Sequence, residues 1–193
     1  MQTGPEVGEL IDQSGPYTHG EALYSFATSQ LSPLNRRPKL LDLRCGTGHL
    51  AEVFAAAKWN VIGVDCSSGF EGSWARIRET HSNCQFIVSE DLPLLSETGA
   101  RFDLIVAFDD LAIELTQGEN LASTLDFSIQ SLRQGGLFVC QVERRALWIV
   151  NPIEAAIETG FREAWRASVV DPGTPIDGGV AHRGSRELFV ARR

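Results

Sequence analysis

No apolar run in this 193-residue chain approaches the roughly 20 residues that a membrane-spanning helix needs, which argues against an integral membrane protein. The N-terminus, MQTGPEVGELIDQSG, lacks a basic start followed by an apolar core. No secretion signal is expected from it, and the expected location is cytoplasmic. Positive charge is also in deficit: 17 Lys and Arg against 25 Asp and Glu leave a formal net charge of −8. Nucleic-acid binders draw much of their affinity from neutralising phosphate. Here the basic residues are scattered, so neither DNA nor RNA is expected as a partner. The four cysteines (Cys45, Cys66, Cys84 and Cys140) have no CxxC spacing, and buried thiols in a reducing compartment are the expected state. There is no metal-binding cluster, no repeat and no low-complexity tract. His19, His49, His81 and His182 are scattered; His49 is expected to begin a helix and His81 to follow one. His19 and His182 are placed on loops that could fold over a site.

What remains is an ordinary globular composition, 43% hydrophobic and 22% charged, in a chain long enough to bury one sizeable core. Strand-like apolar runs alternate with helical patterns, which points to parallel βαβ units. Residues 1–18 read as a polar, Gly/Pro-rich arm, with Tyr17 a candidate lid residue, and a helix is expected near 20–31. Strands are expected at Lys39–Leu43, Val61–Val64, about 84–88, Phe102–Ala107 and Leu137–Val142, the last opened by Gly135-Gly136. Helices fall between them: about 48–58, with Leu50, Val53, Phe54 and Ala57 on one face; from Ser68, with Glu71 at capping-box spacing and Phe70, Trp74 and Ile77 as a stripe; and near 119–133. Asn151-Pro152 then starts a short helix that ends at Gly160. Two strands follow, about 161–170 and 186–192. A loop with no helical pattern joins them, so they must be antiparallel.

Chemistry concentrates where the first strand, LLDL, runs into Arg44-Cys45-Gly46-Thr47-Gly48 and then a helix. A glycine turn between strand and helix lets a nucleotide-like ligand approach the backbone. Asp65 ends the second strand, 19 positions past Gly46, where an acid can accept both ribose hydroxyls. Asp91 follows the third strand. Asp42, Asp65 and Asp91 would then stand beside the carboxyl ends of adjacent strands. Gly46-x-Gly48-x-x-Ala51 also satisfies a dinucleotide fingerprint, so an NAD-dependent oxidoreductase is an alternative. Against it, Arg44-Cys45 intervene between strand and glycines, and an acid at Asp42 suits an amino-acid ligand better than a pyrophosphate.

These motifs resemble those of class I S-adenosylmethionine-dependent methyltransferases. LLDLRCGTG follows the family's first motif, an apolar strand and an acid before Gly-x-Gly-x-Gly, with one exception: Arg44 replaces the first glycine. The resemblance covers about residues 38–193. It implies an α/β, Rossmann-like three-layer sandwich: a mostly parallel seven-stranded sheet with a C-terminal antiparallel strand pair. Residues 1–37 would be an N-terminal arm and helix, a possible lid, and 38–193 the methyltransferase-like domain. By the same resemblance Asp42 and the Gly46–Gly48 loop would hold the methionine part of S-adenosylmethionine. Asp65 would take the ribose, Cys66 would line the adenine, and Asp91 and Leu92 would meet its amino group. Arg44 either points away or contacts the cofactor carboxylate, or, if its backbone needs a positive φ, it weakens binding.

The end of the fourth strand faces the methyl group in this fold, and there the chain reads Ala107-Phe108-Asp109-Asp110. Asp109 and Asp110 are the candidate catalytic residues, able to attract an amine or deprotonate a hydroxyl. The NPPY-like signature of many amide and nucleobase methyltransferases is absent. Only short segments, including 143–160 with Arg144, Arg145 and Trp148, are left to cover an acceptor. The expected function is methyl transfer to a small molecule. A methyltransferase-like protein that binds cofactor without catalysis is the second alternative.

Overall fold

The computed structural model describes residues 17–89, 99–108, 121–142, 151–170 and 185–193. Among them the chain runs α1 (Tyr17–Gln30), β1 (Lys39–Leu43), α2 (His49–Ala56), β2 (Asn60–Asp65), α3 (Glu71–Thr80), β3 (Cys84–Val88) and β4 (Phe102–Ala107). It continues through α4 (Leu121–Ser131), β5 (Leu132–Val142), α5 (Pro152–Thr159), β6 (Glu163–Val170) and β7 (Ser185–Arg192). The strands form one sheet in the order β3-β2-β1-β4-β5-β7-β6. β1 to β5 pair in parallel, and β7 pairs antiparallel to both β5 and β6. The expected three-layer α/β architecture with its terminal antiparallel pair is the one observed.

The central strands are almost wholly apolar because the sheet is covered on both faces. Every residue of β4 is buried. Side chains alternate between the two layers. Leu41 and Leu43 enter a core with Ile105, Phe138 and Phe189 beneath Leu125 of α4 and Ala156 of α5. Leu40 faces the other way, with Leu104, Val106 and Val139 against Leu23 of α1, Phe54 of α2 and Ile77 of α3. Each such large buried side chain contributes about 1.5–3 kcal/mol of transfer free energy.

Four local expectations change. α2 turns Ala51, Phe54 and Ala55 to the sheet, while Leu50 and Val53 lie against Gly20 of α1; the apolar stripe serves two partners. The cap before α3 is Ser67, whose hydroxyl accepts from the Gly69 N–H at 3.1 Å, so a short 3₁₀ turn at Ser68–Phe70 precedes the helix. α1 already contains Tyr17 and His19, which therefore do not lie on an irregular arm. β5 starts at Leu132 rather than Leu137, because Leu132 pairs with Phe102 before the register shifts to Leu137 opposite Leu104. Gly135-Gly136 sits inside that bulge, tied to Arg193 by two backbone hydrogen bonds of 2.9 and 3.0 Å. Only a glycine fits at 136, where a Cβ would stand 2.9 Å from the Arg133 carbonyl and 3.1 Å from that of Asp103. The helix after Asn151 forms as read: the Asn151 side chain accepts from Ile153 N–H, Pro152 opens the helix and Gly160 closes it with φ 106°.

Candidate active site

β1 and β4 are neighbours, yet the chain goes from β1 outward to β2 and β3 before crossing back to β4. Their carboxyl ends therefore flank a topological switch point, where open α/β sheets bind ligands. The glycine loop leaves β1 at this point. Its backbone is held from three sides. Asp65 accepts the Gly46 N–H at 2.9 Å, Trp74 Nε1 donates to the Gly46 carbonyl at 2.8 Å, and Cys45 N–H donates to the Val64 carbonyl at 3.0 Å. Gly46 and Gly48 both take positive φ, 52° and 82°. Beneath the loop the Phe86 ring stacks on Trp74 with centroids 5.1 Å apart and planes 3° from parallel. A Cβ at Gly48 would lie 2.7 Å from that ring, so the second glycine is required by packing as well as by its backbone.

Asp65 is buried, and its second oxygen accepts the Ser67 N–H at 2.9 Å. The carboxylate thus joins the ends of β1 and β2, a role the sequence did not disclose. Each oxygen retains a lone pair, so the set can still receive a ribose diol. Asp42 is buried at the end of β1, in register with Gly63 and Val106. Ala107 is fully buried at the end of β4, opposite Leu43 and Cys140. The structure therefore brings Asp42, Arg44, Gly46, Gly48, Asp65, Cys66 and Ala107 to one edge of the sheet. Asp91, Leu92, Asp109, Asp110 and His182 lie outside the described residues.

Burial pushes the Cys45 thiol well up, with Asp42 and Asp65 adding to the effect. Burial likewise pushes Cys84 up to about 12, with Asp42 and Glu52 adding to it. These thiols are protonated packing groups at neutral pH.

Arg44 adopts φ 56°, the left-handed region that costs a residue with a Cβ on the order of 1 kcal/mol. Of the possibilities the sequence left open, the one needing a positive φ is realised. The guanidinium Nη1 hydrogen-bonds the Cys66 thiol. Trp74 is the residue that sequence reasoning placed only as packing. The available signal was that a buried indole N–H needs an acceptor, but nothing local named Gly46.

The donor set fits S-adenosylmethionine: left-handed glycines, a buried carboxylate at each of two strand ends, and open space in front of the loop, since a Cβ at Gly46 would meet nothing within 4 Å. Comparison with known proteins agrees. The methyltransferase domain family matches residues 18–171. The N-methyltransferase NodS from Bradyrhizobium japonicum superimposes with a TM-score of 0.65 at 20% identity, covering 95% of this chain and 99% of that one. A TehB-like methyltransferase from Corynebacterium glutamicum gives 0.61 at 19%, covering 90% and 87%. Precorrin-6y C5,15-methyltransferase from Geobacter metallireducens gives 0.59 at 12%, covering 98% and 93%. No curated protein matches the sequence significantly. The family match spans most of the chain and decides between the two cofactors that the glycine loop allowed: the chain belongs to the methyltransferase domain family and is an S-adenosylmethionine-dependent methyltransferase.

Proposed function

We propose that the chain methylates a small molecule. The observation that carries the cofactor half of this reading is the loop at Gly46, fixed by Asp65 and Trp74 at the switch point and open in front. S-adenosylmethionine supplies a methyl group on a sulfonium, already a good leaving group. The protein's task is to align the acceptor and, where needed, to take a proton. Asp42 and the glycine loop orient the methionine part, Asp65 the ribose, and Cys66, Asp91 and Leu92 the adenine. Ala107 closes the pocket floor, and Asp109 and Asp110 meet the acceptor.

The acceptor half is supported by size and charge. By length alone, the sequence leaves the N-terminal arm and the segments 109–120, 143–151 and 171–184 to build the acceptor pocket, a small cover that suits a small acceptor. The net charge of −8 disfavours a nucleic acid, and the chain is proposed to act without a nucleic-acid or membrane partner. Free thiols at all four cysteines suit a reducing, cytoplasmic setting. Among the described residues no helix is long and apolar enough to cross a membrane.

Calorimetric titration with S-adenosylmethionine, S-adenosylhomocysteine and NAD tests the cofactor assignment. Heat with the two sulfur ligands and none with NAD is expected; silence with both sulfur ligands removes the proposal. Asp109→Asn and Asp110→Asn test the acceptor end. With the acceptor in hand, at least one should lower kcat while leaving cofactor affinity unchanged.

A further inference from the structure

Leu43, the last residue of β1, is in register with Val64 of β2. Arg44 follows the first strand directly, and Cys66 follows the second. The hydrogen bond from the Arg44 guanidinium to the Cys66 thiol therefore runs along the carboxyl edge of the sheet, from one strand end to the next. Between the same two strand ends the Asp65 carboxylate is clamped by the N–H groups of Gly46 and Ser67. This is the stretch of edge on which the ribose must rest if Asp65 receives its hydroxyls. A side chain as long as arginine cannot share that place with a sugar. Its starting direction is fixed by the left-handed backbone of Arg44, φ 56°, which the clamped loop around it holds in place.

We propose that Arg44 is a latch over the adenosyl end of the cofactor slot: it lies across Cys66 in the free protein and must swing off for the cofactor to enter. The inference rests on the assignment of Asp65 and its neighbours as the S-adenosylmethionine site. Its consequence is a specificity. The donor carries a sulfonium, an ammonium and a carboxylate, net +1, while the demethylated product is neutral. A guanidinium swung aside to the rim of the slot still opposes the donor more than the product. The latch thus lowers affinity for both ligands and tilts the balance toward S-adenosylhomocysteine, making the enzyme sensitive to its own product.

The test compares the wild type with Arg44→Gly and Arg44→Asn, the second because asparagine tolerates a left-handed backbone while keeping a Cβ. Thermal melts establish that each variant is folded, and calorimetry gives Kd for both ligands. The latch predicts that both variants bind S-adenosylmethionine roughly tenfold more tightly, the factor expected where about one molecule in ten has the slot clear. The gain for S-adenosylhomocysteine should be smaller. Unchanged or weaker binding in both variants overturns the latch while leaving the cofactor assignment standing on the wild-type titration. A gain confined to the glycine variant also overturns it, since that reports backbone strain alone. Folded variants and wild type that all ignore both sulfur ligands overturn the assignment and the latch together.

Discussion

Trp74 and Gly46 are 28 residues apart in the chain and joined by one hydrogen bond of 2.8 Å from the indole Nε1 to the glycine carbonyl. The bond makes α3 a support for the cofactor loop as well as a lid on the sheet, because the same ring is fully packed against Phe86. Trp74→Phe keeps an aromatic in the stack and removes the donor. The lost bond should cost about 1 kcal/mol of stability and loosen the loop, weakening S-adenosylhomocysteine binding several-fold. Chemical denaturation and calorimetry measure the two effects. A variant that loses stability but keeps full affinity would show that the loop does not need the tryptophan.

Asp65 clamps the loop, and in the proposed function it also receives the ribose. Asp65→Asn can still accept at one oxygen but loses the charge and one acceptor. Asp65→Ala loses everything. Cofactor affinity should fall in both, by on the order of a hundredfold or more for alanine, since a bond to a charged partner is worth about 1.5–3 kcal/mol and here more than one is lost. Undiminished binding in Asp65→Ala would dismiss the ribose assignment.

At the opposite edge of the sheet, Arg36 holds Asp103 through two hydrogen bonds, and the Lys39 N–H reaches the same carboxylate at 2.8 Å. The carboxylate raises the Arg36 pKa further, the hydrogen bonds outweighing the cost of burial. Asp103 is 4% exposed and Arg36 39%. Arg36→Ala leaves a buried carboxylate without its main partner and should destabilise by about 3 kcal/mol. Cofactor affinity should not change, because no residue of the loop is involved. Arg133 Nε also lies 4.0 Å from this carboxylate, and a stability loss under 1 kcal/mol would mean that it and the Lys39 N–H suffice.

Cys84 and Cys140 are both pushed up to about 12 by burial, from an ordinary thiol value of 9.0. Between those values the unfolded chain releases the protons and the folded chain keeps them. The unfolded state then binds fewer protons, so stability is fully present below pH 9 and falls as pH rises toward 12. Each thiol contributes a slope of about 1.4 kcal/mol per pH unit. Replacing both with alanine should flatten the alkaline limb of a plot of unfolding free energy against pH. An unchanged limb would put the loss on other groups.

What the sequence made legible follows the range of the forces concerned. Lys39–Leu43 and the Asn151-Pro152 to Gly160 helix were readable to the residue, because an apolar run and a pair of caps act on their own neighbours. The Ser68 cap was misplaced by one position, since two adjacent serines carry the same local signal and it is the Ser67 hydroxyl that accepts from Gly69. The early start of β5 was invisible, because Leu132 joins the sheet through Phe102, thirty positions away in the chain. The glycine loop and Asp65 announced the site, but the clamp from Asp65 to Gly46 and the reach of Arg44 to Cys66 are tertiary contacts. Local pattern could pose the question of the Arg44 backbone and not answer it.

Among the described strands β6 joins the sheet only through β7, which lies between it and β5. The two strands are fastened to each other by an ion pair of 3.1 Å between Arg192 and Glu163 and by Arg192 over the Trp165 ring at 5.2 Å. Sequence separation sets the order expected in time. The hairpin of β6 and β7 closes over a short stretch of chain, whereas β7 on β5 joins segments about fifty residues apart in the register, a slower search. The pair would form first and dock as one piece, and the sheet would open from the same side. Amide protons of β6 should never outlast those of β7 in hydrogen exchange.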